Sequence, residues 1–212
     1  MSKIKLPNVT LVCVDTANIK NAVNAVQNCM EHVQFGSVKF FSLFPEGDTD
    51  VGEVECYSIP EIKSIEDYSH FIFFKLYRYI ETDFVMICQH DWFIVNPKAW
   101  DPNFLKYDYI GAPWWYEDNH NVGNGGFSIR SRRLMEYMQN DETLIDWRGY
   151  HPEDDRICRQ YRPELEAAGF RFAPEHLAAR FSWEGNGKYP KYNGSFGFHG
   201  DIRNVKINGH TH

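Results

Sequence analysis

The sequence lacks several features that would place it in well-known protein classes. It has no CxxC pair, and its five cysteines are an odd number that is spread between positions 13 and 158. This usage excludes a disulfide framework and a zinc knuckle, and it is typical of buried thiols in a reducing compartment. No run approaches the ~18 apolar residues of a membrane span, and residues 1–7 carry no apolar signal-peptide core. We therefore expect a cytoplasmic protein without a membrane span.

Positive charge is also scarce. The chain has 22 Lys and Arg against 29 Asp and Glu, a formal net charge of −7. Broad electrostatic attachment to nucleic acid or to an anionic membrane depends on Lys and Arg, so the composition argues against both. A local basic rim could still form from Arg130, Arg132, Arg133, Arg156 and Arg159. The sequence contains no GxGxxG motif, which removes the main support for a dinucleotide-dependent dehydrogenase.

Aromatic residues, in contrast, are plentiful. They make up 16% of the 212 residues, with six Trp and twelve Tyr. Such a surplus suits a site that stacks flat rings or sugar faces, although packing alone can also use it. The length fits one compact domain that buries a full core, so we expect residues 1–212 to form a single domain.

Hydrophobic periodicity predicts alternating strands and helices in the first half. Strands are expected at Val9–Val14, Ser37–Phe44, Val54–Ile59 and Phe84–Cys88, with helices at Asn18–Val33 and Ile65–Ile80. This order implies crossover connections and hence an α/β fold, with a Rossmann-like, mainly parallel central sheet flanked by helices.

Polar residues follow directly where the last of these strands ends. Phe84–Cys88 is apolar throughout, as in a strand covered on both faces, and Gln89, His90 and Asp91 come next without a turn residue. Asp15 follows the first strand in the same way. Ligands of open α/β sheets bind beyond the carboxyl ends of strands, so these side chains are candidate ligand contacts. Alternatively, Asp91 is an ordinary turn or capping residue.

The second half is rich in Gly, Pro and Trp. Short strands are expected at Trp92–Val95, Tyr107–Ile110, Phe170–Ala173 and Ala179–Trp183, and Phe196–His199 is expected to close the domain. Gly123–Gly126 is expected to form either a ligand-contacting segment or a hairpin turn before a strand that ends at Arg130. Ser131 is a candidate cap for a helix at Arg132–Gln139.

Three acidic residues follow Pro152, namely Glu153, Asp154 and Asp155. Pro152 can start a helix, whose amino terminus favours acidic side chains without any catalytic role. Adjacent carboxylates also repel one another, which raises the proton affinity of one of them and favours a general base. His199, in a Gly-rich and aromatic stretch, is by itself more typical of a structural histidine.

The order of these motifs resembles that of metal-dependent glycosyltransferases of the GT-A fold. The second half of the chain is similar in motif order to the β-1,4-galactosyltransferases. It is more similar still to a family of small soluble glycosyltransferase-like proteins, whose YDYIGAPW and VGNGGFSIR segments match Tyr107–Trp114 and Val122–Arg130. The likeness covers residues 9–199. It implies a nucleotide-binding half at 1–91, an acceptor and catalytic half at 92–200, and a short polar tail at 201–212.

The resemblance also assigns roles. Asp91 and His199 would hold Mn²⁺ (or Mg²⁺). Asp154 would be the catalytic base, and Glu153 beside it would, with Asp155, orient acceptor or donor hydroxyls. Contacts with the donor would come from Asp15, Gln89, His90, Asn124, Gly125 and Gly126. Contacts with the acceptor would come from Trp114, Trp115 and Asp155. GT-A enzymes usually carry Asp-X-Asp where this chain has Gln89-His90-Asp91, so the ribose contact of the first Asp would fall to Gln89.

The implied function is transfer of a sugar, with inversion, from a nucleotide-sugar donor such as a UDP-sugar to a hydroxyl acceptor. A glycan, a lipid-linked sugar, a small molecule or a hydroxymethylated nucleobase would all fit as acceptor. Two alternatives stay open: a non-catalytic sugar- or nucleotide-binding module with a decayed transferase site, and a metal-dependent phosphohydrolase. The second would normally gather more carboxylate and histidine ligands than this sequence offers.

Overall fold

The structure is a computed structural model that describes residues 2–44, 47–140, 152–185, 187–189 and 191–199. The predicted polar tail at 201–212 lies outside these ranges. Within them, no helix is long and apolar enough to cross a membrane.

The first half follows the predicted alternation, with one additional short strand at Thr49–Val51 that was not predicted. Its elements are β1 (Ile4–Val14), α1 (Ile19–His32), β2 (Val33–Ser42), β3 (Thr49–Val51), β4 (Val54–Ser58), α2 (Ile65–Phe74) and β5 (Phe84–Cys88). The helix predicted up to Ile80 is shorter, because α2 ends at Phe74 and Leu76–Tyr79 form a 3₁₀ turn. At its start, the Ser64 side chain accepts a hydrogen bond from the Asp67 N–H, which caps the helix.

The second half contains shorter elements. They are β6 (Trp92–Ile94), β7 (Tyr109–Pro113), β8 (Val122–Ser131), α3 (Arg132–Asn140), α4 (Glu153–Asp155), α5 (Arg162–Ala167), α6 (Glu175–Phe181), β9 (Ser182–Glu184) and β10 (Gly197–His199). Two 3₁₀ turns at Pro97–Ala99 and Pro102–Lys106 follow β6, and one π-helical turn at Arg156–Gln160 follows α4. The Ser131 hydroxyl accepts from the Leu134 N–H at 3.2 Å, so the predicted helix cap is confirmed.

Two strands predicted in this half are wrong. Phe170–Ala173 forms only an isolated bridge between Phe172 and Tyr109. The segment predicted as a strand at Ala179–Trp183 belongs mostly to α6, which begins after Pro174 and runs to Phe181. Its apolar residues lie on the buried face of a helix, and a short apolar run does not distinguish a buried helix from a buried strand.

The main sheet has seven strands in the order β3-β4-β2-β1-β5-β8-β7. The four central strands, β4 to β5, run parallel, while β3, β8 and β7 join antiparallel to their neighbours. A second sheet has the order β6-β10-β9. The parallel strands carry their carboxyl ends to one edge, and β8 runs back from that edge beside β5. The sheet therefore places the polar residues that follow β1 and β5 next to the start of β8.

The core lies on both faces of the main sheet. Successive residues of β1 face opposite sides: Leu11 and Cys13 pack in one apolar cluster, whereas Val12 and Val14 pack in the other. All four have an exposed fraction of 3% or less. Burial on both faces explains why the central strands are continuous apolar runs, and it confirms the predicted α/β architecture with helices around a central sheet.

Candidate active site

The ends of two parallel strands bring Asp15 to His90. Cys13 of β1 pairs with Cys88 of β5, so the residues two positions further along lie side by side. Nδ1 of His90 lies 3.0 Å from Oδ2 of Asp15. Oδ1 of Asp15 accepts from two backbone N–H groups just before α1, at 2.8 and 2.6 Å. Both oxygens of Asp15 are engaged by protein groups, and the predicted donor contact would have to replace one of these bonds.

Asp91 lies between two imidazoles. Its Oδ1 is 3.8 Å from Nε2 of His90, and its Oδ2 is 3.8 Å from Nε2 of His199. Oδ1 is buried and has no hydrogen-bond partner among the described residues. Buried carboxylate oxygens nearly always have a partner, so this oxygen has the character of a ligand-binding atom.

His199 is held in place by the second sheet. It pairs with Trp92 across β10 and β6, and the two rings stack with centroids 3.1 Å apart and planes at 21°. Nδ1 of His199 donates to Oε1 of Glu184 at 2.6 Å, while Oε2 of Glu184 accepts from Nδ2 of Asn124 at 2.6 Å. Glu184 therefore fixes the imidazole so that Nε2 faces Asp91.

These residues fit a divalent cation. Asp91 offers a carboxylate oxygen that has no hydrogen bond to any described residue, and His199 offers a ring nitrogen whose opposite nitrogen is hydrogen-bonded to Glu184. Metal-binding histidines typically have such a carboxylate behind them. Within the described part of the chain, no group of three or more His, Cys, Asp and Glu side chains could hold a metal. Ions that bind diphosphates need only one or two protein ligands besides phosphate oxygens and water. Asp91 and His199 could supply these two ligands.

Glu153 is the buried first residue of α4. Its Oε1 accepts from Nη2 of Arg130 at 2.8 Å, and the two side chains are 4% and 1% exposed. Ser69 of α2 donates its hydroxyl to Oε2 at 3.3 Å and accepts from the Glu153 N–H at 3.2 Å. Both carboxylate oxygens thus have protein partners, and the predicted orienting role for a substrate hydroxyl would compete with them.

Asp154 has a different environment. Its oxygens accept from the N–H groups of Gly125 and Asp155, each at 2.8 Å, and no described cation lies within ion-pair distance. Burial, and next the negative charge of Glu153, raise the pKa of Asp154 from 3.8 to about 7. A carboxylate with a pKa near the working pH is well suited to act as a general base.

A cavity of about 510 Å³ extends from the acidic residues of α4 to the end of β5. Of the predicted residues, it is lined by Gln89, Trp114, Trp115, Gly126, Glu153, Asp154 and Asp155, and Ile65, Tyr68, Trp92, Tyr116 and Pro152 complete the described lining. The predicted residues Asp15, His90, Asp91, Asn124, Gly125 and His199 do not line it. Gln89 and Trp92 line the cavity and flank His90 and Asp91 in the chain. Asp91, with its partner His199, therefore lies beside this cavity.

The two predicted acceptor tryptophans differ. The Trp114 side chain is buried and packs against Gly123, with only part of it reaching the cavity, whereas Trp115 is 58% exposed. Asp155 also lines the cavity and accepts from Nε2 of Gln160 at 2.9 Å. Trp115 therefore offers the freer aromatic surface to a ligand.

The predicted glycine segment lies inside β8 and is not a turn. A Cβ on Gly125 would lie within 3 Å of Arg130, Glu153 and Asp154 side-chain atoms, and a Cβ on Gly126 would lie 2.5 Å from the Trp92 ring. Both glycines thus make room for protein side chains. Their predicted contact with a donor sugar stays a prediction.

We expect Gly126→Ala to destabilise the protein by about 1–3 kcal/mol, because the added methyl group must displace Trp92 from its stack on His199. Urea denaturation measures the effect. Gly185→Ala is a matched control, since its Cβ would have no atom nearer than 3.4 Å, and a change within about 0.5 kcal/mol is expected there. Equal stability of the two variants would show that Trp92 is not fixed by Gly126.

The chain was compared with curated protein sequences, solved structures and protein families. A search of curated protein sequences found no significant match. A glycosyltransferase involved in the glycosylation of the major capsid of PBCV-1 is similar in structure, with a TM-score of 0.54, 13% identity, and coverage of 90% of this chain and 91% of that one. The mannosyltransferase PcManGT from Pyrobaculum calidifontis, in complex with GDP-Man and Mn²⁺, has a TM-score of 0.50 at 10% identity. That match covers 81% of this chain but only 56% of the mannosyltransferase.

The catalytic domain of Drosophila β1,4-galactosyltransferase 7, in complex with xylobiose, aligns with a TM-score of 0.47, 13% identity, and coverage of 80% of this chain and 64% of that one. At such identities the likeness concerns the fold, and the GT-A-like fold predicted from the sequence is confirmed. A family model described as "Protein of unknown function (DUF5672)" matches residues 53–199, which is more than half of the chain and includes both Asp91 and Asp154. The chain therefore belongs to the DUF5672 family.

Proposed function

We propose that the chain is a metal-dependent glycosyltransferase that moves a sugar from a nucleotide-sugar, most readily a UDP-sugar, to a hydroxyl acceptor with inversion. The observation that carries the proposal is Asp154, a half-buried carboxylate with a raised pKa that lines a cavity beside the Asp91–His199 pair. A proton acceptor in the cavity and a divalent-cation site beside it are the two groups that this reaction needs.

In the proposed reaction, the acceptor oxygen forms a bond to the anomeric carbon of the donor sugar. The bond between that carbon and the diphosphate oxygen breaks, and the diphosphate leaves with the electron pair. The acceptor proton passes to Asp154, which is negatively charged above its pKa of about 7. Attack opposite to the leaving group inverts the anomeric configuration. Glu153 is paired with Arg130 and leaves Asp154 as the proton acceptor of the turn.

The diphosphate is proposed to lie at the end of β5, beside Asp91 and His199. A bound Mn²⁺ or Mg²⁺ would neutralise the charge that develops on the leaving diphosphate. Glu184 holds the His199 ring for this role, and Gln89 lines the adjoining cavity, where its amide could contact a ribose hydroxyl. The aromatic residues that line the cavity, among them the exposed Trp115, would stack on the acceptor.

The test is a melting experiment on the purified protein with UDP, GDP, UDP-sugars and GDP-sugars, each with and without Mn²⁺. A ligand at 100 times its dissociation constant stabilises the folded state by roughly 2.7 kcal/mol, which is readily detected as a melting shift. We expect a UDP compound to raise the melting temperature only when Mn²⁺ is present. Mass spectrometry of acceptor mixtures incubated with the responding nucleotide-sugar would then identify the product.

If no nucleotide changes the melting temperature at any Mn²⁺ concentration, the donor site does not exist and the proposal fails. Stabilisation by free glycans alone would instead favour the sugar-binding module. Hydrolysis of p-nitrophenyl phosphate, abolished by a chelator, would favour the phosphohydrolase.

A further inference from the structure

We propose that Arg130 is a positioning residue, which holds Glu153 by an ion pair and thereby sets Asp154 as the proton acceptor facing the cavity. This inference rests on the proposed function, since it names the groups that prepare its base. It assigns a role to a buried arginine that lies behind the cavity and does not line it.

The contacts of Arg130 fix its guanidinium in one place. Nε donates to the Ser128 hydroxyl at 3.2 Å, and Nη2 donates to the Gly125 carbonyl at 3.4 Å as well as to Glu153. The guanidinium carbon also lies 5.1 Å from the centre of the Tyr109 ring. A fully buried arginine with this many partners has no freedom to follow a substrate, so its effect must pass through its neighbours.

Gly125 connects Arg130 to Asp154. Its carbonyl accepts from Arg130, and its N–H donates to Oδ2 of Asp154 at 2.8 Å. The absent side chain leaves the space in which Arg130, Glu153 and Asp154 converge, because a Cβ there would lie within 3 Å of all three. A shift of the arginine would therefore move the backbone group that holds the base.

The titratable and charged groups around Asp154 come from five elements. They are Glu153 and Asp155 on its own turn, Arg130 on β8, Tyr109 on β7, Cys158 on the π-helical turn and, next to Glu153, Tyr68 on α2. Burial raises the pKa of Tyr109, Cys158 and Tyr68, so these three are neutral at pH 7. At Asp154, burial raises the proton affinity most and the negative charge of Glu153 raises it further, while the Gly125 N–H and the positive charge of Arg130 lower it.

A buried ion pair of this kind contributes little net stability, because desolvation of both charges offsets their attraction. A role in tuning the neighbouring Asp154 gives the pair a function that stability alone does not. It also distinguishes the two adjacent carboxylates: Glu153 is held by Arg130, and Asp154 is the one that exchanges the proton.

The test follows the Asp154 carboxyl group by ¹³C NMR in protein labelled at aspartate, with its signal assigned from Asp154→Asn. This measurement needs no substrate, so it decides the inference even if the proposed transfer activity is not found. We expect Glu153→Gln to lower the Asp154 titration midpoint by at least one pH unit, a 10-fold loss of proton affinity. We expect Arg130→Met to raise it.

Arg130→Met leaves Glu153 unpaired and could prevent folding, so the double variant Arg130→Met/Glu153→Gln is included. It removes both charges, and the midpoint should fall by less than in Glu153→Gln alone. Glu166→Gln, which breaks the ion pair of Arg162 and Glu166 on α5, is the matched control and should leave the midpoint unchanged. A midpoint that stays at the wild-type value in Glu153→Gln and in the double variant would overturn the inference.

Discussion

Asp154→Asn is expected to lower the rate of sugar transfer by about 10²- to 10⁴-fold, the usual contribution of a general base, while nucleotide binding in the presence of Mn²⁺ is retained. Asparagine keeps the size of the side chain but cannot take up a proton from the acceptor. Initial rates and melting shifts, measured on the same preparation, separate the two effects. Glu166→Gln on α5 is the control, since this carboxylate pairs with Arg162 and does not line the cavity.

Asp154→Asn should also change how the stability of the protein depends on pH. The pKa of Asp154 is about 7 in the folded protein, against the ordinary value of 3.8 expected for the unfolded chain. The folded state therefore binds this proton more tightly. The resulting stabilisation is complete below pH ~4 and is lost as the pH rises through about 7, a change on the order of 4 kcal/mol. Relative to wild type, Asp154→Asn should therefore gain stability between pH 4 and pH 8.

Urea denaturation at several pH values gives this difference directly. Other groups titrate in both proteins, so only the difference between the two curves reports on Asp154. Two results would contradict the assignment: a difference that does not change with pH, or a variant that transfers sugar at the wild-type rate.

Asp91→Asn is expected to weaken Mn²⁺-dependent nucleotide binding by at least about 10²-fold, because an amide is a much poorer ligand than a carboxylate for a hard cation. The change should leave the melting temperature of the free protein nearly unaltered. Oδ1 of Asp91 has no hydrogen-bond partner among the described residues, and the side chain is 42% exposed. Calorimetric titration of UDP in the presence of Mn²⁺ measures the affinity.

His199→Gln should weaken binding in the same experiment, and Asp50→Asn on the exposed strand β3 should have no effect. If the Asp91→Asn protein binds the nucleotide as tightly as wild type, then Asp91 is not a metal ligand and the cation, if any, binds elsewhere.

The first half of the fold could be predicted because its signals are local. The strands β1 and β5 are apolar on both faces, and α1 buries Ala22, Ala25, Val26 and Cys29 at helical spacing. The second half depends on short elements, and there the run around Ala179 was assigned to a strand although it packs as a helix. Local composition does not settle such runs, because tertiary packing decides between the two.

The candidate site could be predicted only in part, for a similar reason. Asp91, Asp154 and His199 were predicted from motif order, and the first of these follows a clear strand. Glu184 was not predicted as a site residue, and Arg130 was predicted only as part of a basic rim although it is buried, since their partners are 15 and 23 positions away in the chain. The burial of a charged side chain against a distant partner leaves no periodic signal in the sequence.

The stack of Trp92 on His199 gives the molecule an internal optical reporter. An indole in van der Waals contact with an imidazole has an emission that depends on the charge of that ring and on any paramagnetic ion bound to it. Trp92 lies 3.1 Å, centroid to centroid, from the ring proposed to bind Mn²⁺. Fluorescence of the unlabelled protein would thus register the arrival of the ion, with a Trp92→Phe protein supplying the background of the other five tryptophans.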